Sequence, residues 1–87
     1  MALARSDWES ALADLRANQL IHRQGGRRWL ANYTNILIAD VYLSRNAPGD
    51  RDLARAALAE AQSAYKEMGA DGYVTRLQAR LDALGDD

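Results

Sequence analysis

Residues 29–69 read WLANYTNILIADVYLSRNAPGDRDLARAALAEAQSAYKEMG, and this stretch decides the fold. In its first half Leu30, Tyr33, Leu37 and Val41 recur at three- and four-residue steps, with Ile38 and Tyr42 one position round. That spacing lays a broad apolar stripe down one side of a helix. In the second half Ala54, Leu58, Ala61 and Tyr65 repeat the spacing among charges, and the small alanines allow two helices to approach closely. Between the halves stands the chain's only proline, in Asn46-Ala47-Pro48-Gly49-Asp50, where a missing amide and a fixed φ stop a helix. The reading is a helical hairpin.

Working outward, Ser6-Asp7-Trp8-Glu9 fits a capping box that opens a first helix, with Trp8, Leu12, Leu15 and Leu20 on one face. Gly25-Gly26 ends it, since glycine takes the left-handed conformation at a helix C-terminus at little cost. Asp50 is the expected N-cap of the third helix and Gly69 its terminator. Asp71 then caps a fourth helix carrying Tyr73 or Val74, Leu77, Leu81 and Leu84, and Gly85 with Asp86-Asp87 is a fraying tail. The spacing predicts helices over about 6–22, 27–45, 51–68 and 72–84. The fold class is all-α: four antiparallel helices forming two stacked helix-turn-helix units in a single domain.

At 87 residues such a domain has a thin core, burying roughly 60 to 65 per cent of its unfolded surface. The formal net charge of -1 argues against nucleic acid as partner, because non-specific affinity comes from neutralising several phosphates at once. Up to Leu30 the chain is net +2 and beyond it -3, a polarity able to orient a partner. With no cysteine there are no disulfides or thiolate metal sites. No apolar run approaches the roughly 20 residues of a membrane span, and a cytoplasmic setting is expected.

Ile38, Ala39 and Tyr42, followed across the turn by Ala54, Leu58 and Ala61, resemble the large-small-aromatic and small-large-small signatures of a tetratricopeptide repeat. Between Tyr42 and Ala54 the chain is three residues longer than the usual unit, and Asn35 stands where the family often has a large aromatic. Leu58-Ala59-Glu60-Ala61 through Lys66-Glu67-Met68-Gly69 resembles the degenerate repeats at the C-terminal ends of bacterial regulators of the LuxR or nucleotide-cyclase type. The resemblance implies an interaction scaffold whose concave groove would be lined by Tyr33, Ile36, Asp40, Leu43 and Ser44, with Arg76 and Arg80 of the fourth helix adding carboxylate-binding positions. Helical repeats cover one another's apolar faces and usually need about three units to stand alone. Two units leave a face to be covered by neighbouring repeats, by a second copy or by a partner.

Catalysis needs a nucleophile, a base and an orienting group together, and none converge in the sequence; no cofactor and no metal are expected. His22 is the sole histidine and reads as a helix-end residue near the last carbonyls. Arg23, Arg27 and Arg28 around Gly25-Gly26 resemble a phosphate loop only superficially, lacking its lysine and hydroxyl residue, and remain candidates for a small anion. Three functions are therefore open: a protein-binding module of a larger bacterial regulator, a homodimerisation domain pairing through Trp29 and the face of the second helix or the open end of the fourth, and a helical sensor or enzyme appendage for a small anionic ligand.

Overall fold

The computed structural model describes residues 5–84, with side chains from Asp7 onward, as four α-helices: α1 (Arg5–Gln24), α2 (Arg28–Arg45), α3 (Asp50–Met68) and α4 (Asp71–Leu84). Ser6 falls inside α1, which begins one residue before the expected cap, and the Gly85-Asp86-Asp87 tail lies outside the described residues. No strand occurs among the described residues, and no helix there is long and apolar enough to cross a membrane.

The helix ends follow from three left-handed residues. Gly26 (φ 74°) lets the Arg27 amide reach back to the His22 carbonyl at 2.7 Å, and Gly69 (φ 77°) does the same for Ala70 and Tyr65 at 2.9 Å. This six-to-one bond closes the helix by satisfying a carbonyl that has no partner within it. Asn46 (φ 52°) ends α2, its amide bonding the Tyr42 carbonyl at 2.9 Å. Asp50 departs from its expected role. It is the first residue of α3 rather than the N-cap, a position taken by Gly49, and its carboxylate turns back across the turn to Arg45.

Each helix packs on its chain neighbours: α1 on α2, α2 on α3, α3 on α4. The described residues form a slab of 37 × 34 × 21 Å, with α2 and α3 central. Ala39, Ala54, Leu58, Ala61 and Tyr65 are fully buried, so the seam between α2 and α3 is the alanine-lined close approach that the second half of the hairpin encodes. Leu12 of α1 and Leu77 of α4 close the core on either side.

Only part of the apolar stripe of α2 is on the side that the helix buries: Ile38 and Tyr42 go inward. Leu30 is 40 % and Tyr33 39 % exposed, and Leu37 and Val41 are only half-buried. Inward go Ala31, Asn32, Thr34, Asn35, Ile36, Ile38, Ala39 and Tyr42. The polar members are satisfied locally and across helices: Thr34 donates to the Leu30 carbonyl at 2.9 Å, Asn32 to the Arg28 carbonyl at 2.9 Å, and the Gln19 amide to Asn35 Oδ1 at 2.7 Å. Asn35 in turn donates to Glu60 of α3, which also accepts from Arg23 at 3.2 Å. One amide chain thus ties three helices in register, and buried polar groups paired in this way cost far less than unpaired ones. Leu20, read as part of the α1 core face, is 55 % exposed.

Candidate interaction surface

Helix α2 buries one side between its neighbours and carries apolar residues on a further side as well. That side carries Trp29, Leu30, Tyr33, Leu37 and Val41. Its N-terminal end is an aromatic cluster drawn from three helices. Trp29 stacks on Tyr33 with ring centroids 5.5 Å apart and planes 8° from parallel, and meets Tyr65 and Tyr73 edge-on at 5.9 and 5.4 Å. Tyr65 lies against Tyr73 at 5.0 Å. Offset-stacked and edge-to-face pairs at these distances hold rings beyond what area burial alone supplies.

Tyr65 anchors the cluster from below. It is fully buried, donates its hydroxyl to the Trp29 carbonyl at 3.1 Å, and has its phenol pushed up to about 12 by burial first and by Tyr73 and Tyr33 second. Trp29 is 39 % exposed, so the cluster is a supported platform open to solvent on one side. The Arg76 guanidinium sits 6.0 Å from the Tyr73 ring centroid, within cation-π range.

The groove residues implied by the family resemblance fall into three groups. Tyr33, Asp40, Arg76 and Arg80 fall at two contacts between α2 and α4: Arg80 pairs with Asp40, and separately Tyr33 belongs to the aromatic cluster that Arg76 borders through Tyr73. Leu43 and Ser44 lie one to two turns on, half-buried and exposed respectively. Ile36 is buried among the core residues.

The anion candidates gather around the α1–α2 turn. Arg23 and Arg28 line a shallow recess with Gly26, Ala31 and Asn32, but Arg23 faces Glu60 and Arg28 faces Glu67, so the recess is close to electroneutral. Arg27 occupies the α2 N-cap position without a side-chain cap bond. His22 has Nδ1 buried without a hydrogen-bond partner, and the carbonyl at that helix end is taken by the Arg27 amide instead. Among the described residues, no three acidic or histidine side chains converge as a metal site requires.

No family model matches the chain, nor does any curated protein or solved structure. Sequence periodicity finds the stripe on α2 but not its direction. The missing signal is Asn32, Thr34 and Asn35, three polar residues that read as solvent-facing and are buried: Thr34 bonds the Leu30 carbonyl of its own helix, and Gln19 and Glu60, distant in sequence, complete the chain through Asn35 to Asn32.

Proposed function

We propose that this chain is a protein-interaction module of the tetratricopeptide-like helical-repeat kind, working by binding rather than by chemistry in a cytoplasmic regulatory setting. The observation that carries the reading is the outward stripe of α2. A central helix that packs on both sides keeps Trp29, Leu30 and Tyr33 about two-fifths exposed, with the two rings nearly parallel and buried Tyr65 edge-on to Trp29. Stacked, supported aromatics are the anchors that dominate binding at protein interfaces. The end of the array gives contrast: the exposed residues of α4, among them Thr75, Gln78, Ala79 and Asp82, are polar or small. A further repeat stacked there would find little apolar surface to cover.

Site-specific photocrosslinking tests the reading. Benzoylphenylalanine in place of Leu37, expressed in the native host, is expected to give a discrete heavier adduct on irradiation, and the same group in place of Gln78 is expected to give none. Absence of an adduct from position 37, or equal adducts from both positions, would remove the module.

A further inference from the structure

Resting on that reading, we infer that the occupant of the α2 face is an acidic amphipathic helix from another protein. The shape comes first. Trp29, Tyr33, Leu37 and Val41 follow one another at four-residue steps, so they form a straight ridge about 18 Å long at 1.5 Å per residue. Four-residue rows are the ridges by which helices pack on one another, and a partner helix of roughly three to four turns covers this one. Helix α1 packs on one flank of α2, while on the other Tyr73 and Arg80 of α4 reach Trp29 and Asp40.

Charge then selects the occupant. The α4 flank presents Arg76 and Arg80, while the Arg27 guanidinium lies back over Gly25 in the α1–α2 turn. Arg76 has no carboxylate partner among the described residues, and the Asp40 carboxylate is already held by Arg80. A second copy pairing through this same face supplies leucines and rings but only Asp40 as an acid, which is committed. A helix with glutamates or aspartates on the flank facing α4 supplies both the apolar cover and the missing negative charge. Complementary charge at the rim sets orientation and encounter rate, while the apolar ridge provides the anchor.

Two synthetic 20-residue peptides test this, sharing leucines at helical spacing and differing only in whether glutamate or lysine fills the flanking positions. Fluorescence anisotropy of the labelled peptides against the full chain at low salt is expected to give a Kd for the glutamate peptide at least about ten-fold below that of the lysine peptide. Arg76→Glu, whose retained helicity is checked by circular dichroism, is expected to narrow that ratio to about three-fold or less. Equal affinity for the two peptides would leave the interaction module standing and overturn the acidic partner. A preference for lysine, or no binding of either peptide at 100-fold excess of chain, would overturn it as well. So would a dimer in sedimentation equilibrium that Leu37→Glu dissociates, because a second copy would then cover the ridge.

Discussion

The carboxylate of Asp50 is 1 % exposed, yet the fold keeps it charged. Arg45 donates through Nε at 2.8 Å and Nη2 at 2.7 Å, and the Ala47 amide donates at 2.9 Å. The Arg45 bond does most to lower its pKa to about 2; burial opposes, and the Ala47 amide and the guanidinium charge assist. An unfolded aspartate titrates near 3.9, so the carboxylate binds its proton more weakly in the folded chain. Its contribution to stability is complete above about pH 4 and is lost as pH falls through about 2. Urea midpoints measured between pH 5 and pH 2 are expected to fall in the wild type and to fall less steeply in Asp50→Asn, which starts lower. Parallel pH profiles for the two would show that Asp50 is not held ionised by the fold. The sequence offered Asp50 as a helix cap because it stands before an apolar run. What it hides is that Arg45, five residues earlier, folds over the same turn with the geometry of a two-pronged ion pair.

At the scale of the helix, the second half of the hairpin was legible and the first only in part. Ala54, Leu58, Ala61 and Tyr65 stand among charged residues, so one face alone is able to go inward, and all four are fully buried. On α2, apolar residues occupy both sides, and the period alone does not rank them. The side with Ala39 goes to α3 because a methyl group permits the close approach that Leu37 would block. Ala61→Trp is therefore expected to cost roughly 1 to 3 kcal/mol by overpacking the α2–α3 seam. Leu58→Ala should cost roughly 2 to 5 kcal/mol by opening a cavity. Leu37→Ser should cost only about 1 kcal/mol, because the side chain is half-buried and leaves no closed cavity. Denaturation midpoints distinguish the faces. A large loss from Leu37→Ser with little from Ala61→Trp would invert the orientation of α2.

For the molecule as a whole, consecutive packing makes stability uneven. In backbone packing α2 and α3 each lie against two neighbours and α1 and α4 against one, with side chains alone joining α1 to α3 and α4 to α2. Amide hydrogen exchange is expected to be slowest around Ala39 and Leu58 and fastest in the outer turns of α1 and α4, because local opening follows the density of buried contacts. Uniform protection across all four helices would mean that the slab opens only as a unit. The sequence was sufficient for helix number, class and thinness of core, since these follow from length, alanine content and turn residues. For the uncovered face the sequence offers the Trp29 side of the second helix or the open end of the fourth without choosing between them. The choice depends on Gln19, Asn35 and Glu60 meeting across three helices, a coincidence in space with no local periodicity.

The ring contacts of Trp29 also give the chain an optical signature of its own. Its indole lies beside rings carried by α2, α3 and α4, an asymmetric arrangement that rotates near-ultraviolet light only while those three helices keep their relation. Loss of that ellipticity with far-ultraviolet helicity retained would report α4 swinging away from α2 without any label being attached.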